Sequence, residues 1–162
     1  MNMIGIWQTP SPLIFIPGLM GSWNKEAILY NKEVDPDSWQ LTPIAKEYEG
    51  LLTTLDNLGY QKDKDYFVFA YDWRKRLEDL AGDLKGYLER KVLPFNPSSK
   101  VNLVGHSLGG LVGRIYAQKY GTDNIGKIIT VGSPHKGTAL AYKAVEGGEL
   151  ERDDPLMWLG QK

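Results

Sequence analysis

The chain has 162 residues, of which 42% are hydrophobic, and its formal net charge at pH 7 is −1. This length predicts one domain over residues 1–162 with its own core, and the balanced charge argues against a nucleic-acid partner. Because the chain has no cysteine, disulfides and thiolate metal sites are excluded, which fits a reducing compartment and predicts a cytoplasmic protein.

The sequence shows neither a signal peptide nor a transmembrane segment. Residues 1–12, MNMIGIWQTPSP, lack a basic region followed by an apolar stretch of signal-peptide length. No run approaches the roughly 18 apolar residues that a membrane-spanning helix needs. We therefore expect a soluble chain.

Predicted strands and helices alternate along the chain. Four apolar runs predict buried strands at Leu13–Ile16, Tyr66–Tyr71, Val101–Val104 and Lys127–Val131. Apolar residues at three- and four-residue steps predict helices at Ile44–Leu58, Leu77–Val92 and Leu108–Lys119. Gly59 and Gly121 are placed to end the first and the third helix. The alternation predicts an α/β fold, with a four-stranded, mainly parallel sheet flanked by helices.

Ser107 lies in LVGHSLGG, between the third predicted strand and the third predicted helix. In this context the pattern G-x-S-x-G, here Gly105, Ser107 and Gly109, predicts a nucleophilic serine. A serine that turns a strand directly into a helix takes a strained backbone conformation, and its neighbours two residues away must be small. The turn would raise Oγ above the sheet and aim the amide of Leu108 at a developing oxyanion. The alternative is a glycine-rich turn that binds a phosphate or nothing.

A second glycine-containing loop, PGLMGS at residues 17–22, follows the first predicted strand. It lacks the spacing and the lysine of a nucleotide-binding loop. Its flexible backbone can supply an outward amide, that of Leu19, as a second oxyanion donor. The alternative is a plain turn.

Four segments together resemble the α/β-hydrolase superfamily, and more narrowly its lecithin:cholesterol acyltransferase-like lipases and acyltransferases. These segments are FIPGLMGS, YDWR, VNLVGHSLGGLVGR and VGSPHKGTALAY, and the resemblance runs from residue 13 to residue 144. It implies that Ser107 is the acylated nucleophile and that the amides of Leu19 and Leu108 form the oxyanion hole. It further implies a fatty acyl ester or other lipid substrate, with water or an alcohol as acceptor. No cofactor is expected, and no metal either, since the sequence contains no cluster of metal ligands.

The partners that a serine nucleophile needs are not identifiable in the sequence. A serine requires a histidine base and an acid that orients it, and in this superfamily they follow in the order serine, acid, histidine. His106 adjoins Ser107 on a strand and should point to the opposite face, while His135 comes soon after the fourth strand. The chain therefore resembles the N-terminal and central part of a hydrolase, truncated after the fourth recognisable strand. The alternative function is a catalytically incomplete module that binds lipid or protein, or the remnant of a longer enzyme.

The resemblance implies a sheet with the Tyr66 strand at one edge, then the Leu13 and Val101 strands, and the Lys127 strand at the other edge. That last edge would expose unpaired backbone groups beside an apolar face. We therefore expect self-association or a partner that completes the sheet. Residues 147–162 could instead cover this edge or begin a lid. We interpret Asp72 and Arg74, in YDWR, as tying down the loop after the second strand.

Overall fold

The computed structural model describes residues 11–96 and 100–139, whose centre is a four-stranded sheet. In chain order the strands and helices are β1 (Leu13–Ile16), β2 (Ser22–Trp23), α1 (Lys25–Tyr30), β3 (Gln40–Leu41), α2 (Lys46–Asn57), β4 (Tyr66–Val68), α3 (Leu77–Tyr87), β5 (Val101–His106), α4 (Leu108–Tyr120) and β6 (Ile125–Val131). Short 3-10 turns cover Pro36–Ser38 and Leu93–Phe95, and a π-helical turn covers Leu88–Val92.

The sheet has the strand order β4-β1-β5-β6, and all three pairings are parallel. The predicted α/β class and strand order are therefore confirmed. The register places Phe15 opposite Val104, and Gly105 opposite Thr130. Because all four strands run the same way, the residues that follow β1, β4, β5 and β6 meet at one edge of the sheet.

Helices α3 and α4 pack on one face of the sheet and enclose the larger core. Ile16, Leu103 and Val112 are fully buried there. On the other face, the Tyr48 ring of α2 meets the Phe15 ring of β1 edge to face, with 5.0 Å between ring centroids. The prediction of flanking helices is confirmed.

Two elements end at least three residues earlier than predicted, whereas β5 and β6 are each two residues longer than the predicted strands. The strand predicted over Tyr66–Tyr71 ends at Val68. The Phe69 amide still donates to the Phe15 carbonyl at 2.9 Å, but the Tyr71 amide donates to the Ser22 hydroxyl instead of to a neighbouring strand. The helix predicted over Leu77–Val92 is α-helical only to Tyr87, and its last turn widens into the π-helical turn.

Four short elements between residues 22 and 41 were not predicted: β2, α1, β3 and the 3-10 turn Pro36–Ser38. Strands β2 and β3 form a two-residue antiparallel pair. Helix α1 has six residues, and the Asn24 side chain caps it by accepting from the Ala27 amide at 3.1 Å.

Strand β6 forms the outer edge of the sheet within the described residues. Ile128 faces α4, and a methyl group on Gly113 would lie 3.6 Å from its Cγ2 atom. The side chains of Ile129 and Val131 point to the opposite face of the strand, and they are 46% and 52% exposed. One face of β6 is therefore covered by helix, whereas apolar side chains on the other face meet solvent.

Of the helices in the described ranges, none combines the length and the apolar character that crossing a bilayer requires.

Candidate active site

Ser107 alone makes the turn from β5 to α4. Its φ of 50° and ψ of −117° are an unusual and strained conformation for a residue with a side chain. The Ser107 amide donates to the Val131 carbonyl at 2.8 Å, which joins the turn to the end of β6. The side chain is half-buried, and it makes no capping hydrogen bond to the first turn of α4. The prediction of a strained serine between strand and helix is confirmed.

The two flanking glycines are required by close backbone approach. A Cβ atom on Gly105 would lie 2.4 Å from the Gly110 nitrogen, and one on Gly109 would lie 2.1 Å from the Ile16 oxygen. Real Cβ contacts are essentially never this short. The predicted need for small residues on both sides of Ser107 is therefore confirmed, and β1, β5 and α4 meet at this turn.

The loop after β1 lies against the Ser107 turn. A Cβ atom on Gly18 would be 3.1 Å from the Ser107 Cβ atom. The Gly21 amide donates to the Gly18 carbonyl at 3.0 Å, and Met20 has the positive φ, 59°, that a type II turn needs at its third position. Leu19 is half-exposed at the outside of this turn.

The Leu19 amide points away from the inside of that turn. It belongs to the same trans peptide unit as the Gly18 carbonyl, so its N–H lies opposite the C=O that accepts from Gly21. The Leu108 amide begins α4 and is one of the N–H groups that a helix start leaves without an intrahelical acceptor. The Leu19 and Leu108 amides therefore lie on the two segments that meet at Ser107, which are the loop after β1 and the start of α4.

Two tyrosines that the sequence did not single out as functional contact the same loop. The Gly18 amide donates to the Tyr48 hydroxyl at 3.0 Å, and the Tyr71 hydroxyl donates to the Pro17 carbonyl at 2.7 Å. In the sequence, Tyr48 is only one of the apolar positions of the predicted helix Ile44–Leu58. Tyr71 is the first residue of YDWR, a motif that indicates a fixed loop after the second predicted strand but does not indicate the contact between Tyr71 and Pro17.

Both histidines in the chain have partners other than the Ser107 hydroxyl. His106 Nδ1 lies 2.9 Å from the Tyr48 hydroxyl, and His135 Nε2 lies 3.3 Å from Thr130 Oγ1. Because the Tyr48 oxygen accepts from Gly18, its own proton can bond to Nδ1 when neutral His106 carries its proton on Nε2. Within the described ranges, no hydrogen bond joins Ser107 Oγ to a histidine or a carboxylate, so the structure adds no base or acid to the serine.

Asp72 and Arg74 join three segments of the chain. The Arg74 guanidinium donates to both Asp72 carboxylate oxygens, at 2.7 and 2.8 Å, and to the Ala27 carbonyl at 2.8 Å. It also lies over the Trp39 ring, 5.9 Å from its centroid. Trp73, between them, donates from Nε1 to the Ser22 carbonyl at 3.0 Å. The interpretation that this pair ties down the loop is confirmed.

A cavity of about 400 Å³ opens beside this ion pair and shares none of its lining with the Ser107 turn or residues 17–22. Its lining includes two ion pairs, Arg74 with Asp72 and Arg90 with Asp37. The described residues also contain no cluster of histidine and acidic side chains that could hold a metal ion.

Comparison with known proteins gives both a family and a fold. A family model described as lecithin:cholesterol acyltransferase matches residues 37–157, more than half of the chain. The GPI inositol-deacylase of Debaryomyces hansenii is 29% identical over 143 residues, which cover 81% of this chain and 13% of that protein. A triacylglycerol lipase of Pseudarthrobacter phenanthrenivorans is 38% identical over 52 residues, which cover 32% of this chain and 16% of that protein.

Among solved structures, the mature lipase BlEst2 of Bacillus licheniformis has a similar fold. The TM-score is 0.64 at 24% sequence identity, and the match covers 95% of this chain and 52% of that one. The chain thus spans about half of this lipase and a small part of the curated relatives that it matches.

Proposed function

This chain belongs to the lecithin:cholesterol acyltransferase family, and from that premise we propose that it takes part in cleavage or transfer of acyl esters through Ser107. The observation that carries the proposal is the turn at residue 107. Its positive φ and the two obligatory glycines hold the serine at the end of β5, against the loop after β1. Such a turn is the setting in which α/β-hydrolases present their nucleophile.

In the proposed reaction, Ser107 Oγ forms a bond to the acyl carbon while its proton passes to a base. The carbonyl oxygen becomes an oxyanion, which the amides of Leu19 and Leu108 stabilise. The intermediate then collapses, the alcohol leaves with a proton, and water or a second alcohol takes the acyl group from the serine. One oxyanion donor is typically worth a factor of about 100 to 1,000 in rate.

The substrate class that we propose is a fatty acyl ester of a lipid. The names of the relatives support it, since they include a triacylglycerol lipase and a deacylase of GPI inositol. If no base acts on Ser107, catalysis should fall to the roughly 1,000- to 10,000-fold enhancement over water that binding and an oxyanion hole provide.

A fluorophosphonate probe tests the nucleophile directly. We expect the folded chain to be labelled, and Ser107→Ala to lose labelling because the attacking oxygen is gone. Ser11→Ala, which changes an exposed serine, is the matched control and should label like the wild type. Intact-protein mass spectrometry measures the adduct. A folded wild-type chain that takes no probe, or a Ser107→Ala variant that still takes it, would count against the proposal and favour a binding module.

We also propose that a second copy of the chain pairs with the outer edge of β6. Support comes from the exposed apolar residues Ile129 and Val131 beside a strand edge that has no neighbour within the described residues. Edges of this kind are templates for strand addition, and a charge placed on them opposes it.

Ile129→Lys should therefore shift the chain toward the monomer. The expected result is concentration-dependent dimerisation of the wild type and a monomeric variant, measured by sedimentation velocity. Leu58→Lys is the matched control, because it charges an exposed apolar side chain (69% exposed) at the end of α2. A wild-type chain that stays monomeric at every concentration contradicts the proposal.

A further inference from the structure

The peptide unit between Pro17 and Gly18 is held by two side chains from distant parts of the chain. The Tyr71 hydroxyl donates to its carbonyl oxygen, and the Tyr48 hydroxyl accepts from its N–H. Tyr48 is 7% exposed and Tyr71 is 2% exposed, and Pro17 and Gly18 are themselves buried. The C=O and N–H groups of a trans peptide lie in its plane and point in opposite directions. The two phenols therefore bond to opposite edges of the same peptide plane.

This peptide needs such partners because it lies beyond the end of a strand. Strand β1 stops at Ile16, so the sheet provides no ladder bond for the Pro17–Gly18 peptide unit. Buried peptide groups are almost always hydrogen-bonded, and rotating this plane would leave both of its groups without a partner. The two phenols therefore oppose a rotation that Gly18 would otherwise permit.

The next peptide unit, between Gly18 and Leu19, carries the amide proposed as an oxyanion donor. Its carbonyl is held by the Gly21 amide, and its N–H points outward. Gly18 joins the two units and lies against Ser107, as the distance of 3.1 Å from a Gly18 Cβ to the Ser107 Cβ shows. A rotation of the Pro17–Gly18 peptide plane would consequently move the Leu19 amide relative to Ser107.

We propose that Tyr48 and Tyr71 are positioning residues for the Ser107 reaction, fixing the Pro17–Gly18 peptide so that the Leu19 amide keeps its direction beside the serine. This inference rests on the proposed function of Ser107. Tyr48 links the loop to the nucleophile's own strand as well, because its hydroxyl also bonds to His106. Burial raises the pKa of the Tyr71 hydroxyl, and the nearby Tyr48 adds to this, so Tyr71 keeps the proton that it donates to Pro17.

The test removes each hydroxyl alone and both together, in Tyr48→Phe, Tyr71→Phe and the double variant. Fluorophosphonate kinetics separate the reversible affinity for the probe from the maximal labelling rate. We expect that rate to fall by roughly 10- to 100-fold in each single variant with affinity unchanged, as for a misplaced catalytic group. The double variant should lose less than the product of the single losses, because either change releases the same peptide.

Tyr87→Phe is the matched control. Its half-buried side chain donates from the hydroxyl to a backbone carbonyl, that of Val68, at 3.2 Å. Within the described residues it makes no hydrogen bond and no ring contact with the loop or the Ser107 turn. It should label at the wild-type rate. If Tyr48→Phe and Tyr71→Phe lower the melting temperature but keep the wild-type labelling rate per folded molecule, the tyrosines are merely structural and the inference is wrong.

Amide hydrogen exchange separates this inference from the proposed function. If the wild-type chain takes no probe, the proposed role of Ser107 fails. Whether the two tyrosines fix the Pro17–Gly18 peptide is then tested by the hydrogen-exchange rate of the Gly18 amide. Strong protection in the wild type that is lost in Tyr48→Phe but kept in Tyr87→Phe supports the hold. Equal protection in all three chains overturns it.

Discussion

Gly109→Ala should destabilise the protein by about 3 kcal/mol or more and abolish probe labelling of Ser107. A methyl group at this position would lie 2.1 Å from the Ile16 oxygen and 2.6 Å from the Pro17 oxygen. Both are main-chain atoms, so no rotamer change relieves the clash. Helix α4 would have to move away from β1, and the serine turn would move with it. Denaturant unfolding measures the loss of stability, and the probe measures the loss of reactivity.

Gly113→Ala is the control for that change, because it adds the same atom to the same helix one turn later. There the nearest atoms are side-chain carbons at 3.6 to 3.9 Å, which is ordinary contact distance. We expect a gain of up to about 1 kcal/mol from the higher helix propensity of alanine, with labelling retained. Equal stability of the two variants would show that the close approach at Gly109 is not a constraint.

Features of the fold that depend on local pattern could be predicted from the sequence. Continuous apolar runs such as Leu13–Ile16 identify strands buried on both faces, and G-x-S-x-G identifies the turn at Ser107. The predicted need for small residues at positions 105 and 109 agrees with backbone distances that leave no room for a Cβ atom. The sheet order followed from the family resemblance.

Contacts between residues far apart in sequence could not be predicted in the same way. Tyr48 fits the apolar period of a helix, but its role depends on a hydroxyl that reaches Gly18, 30 residues away. Tyr71 reaches Pro17 across 54 residues. Elements of two residues, such as β2 and β3, have no periodicity to detect, and pairing between them is what defines them.

Removing the guanidinium in Arg74→Ala should lower the free energy of unfolding by about 2 kcal/mol, because charged hydrogen bonds are lost and a partly buried carboxylate is left without its cation. The Asp72 side chain is only 16% exposed, so water replaces the lost donors poorly. Arg74→Lys should recover less than half of the loss, since one ammonium cannot bond to Asp72 and Ala27 with the geometry of a guanidinium. Lys75→Ala is the control: its ion pair with Asp83 is more exposed, and removing it should cost less than about 1 kcal/mol.

The same ion pair should make stability depend on pH in acid. Burial alone would raise the pKa of Asp72, but hydrogen bonds from the Arg74 side chain and backbone outweigh it and hold the pKa below its usual value of 3.8. A carboxyl whose pKa is lowered by folding contributes stability above its unfolded pKa and loses that contribution as the pH falls through the folded value. The difference in unfolding free energy between wild type and Asp72→Asn should therefore be constant near neutral pH and shrink below pH 3.8. Asp37, whose pKa is also lowered, is present in both chains and cancels from this difference. Denaturant unfolding over a pH series measures it, and a difference that stays constant into strong acid would mean that the Asp72 charge adds nothing to the tie between these loops.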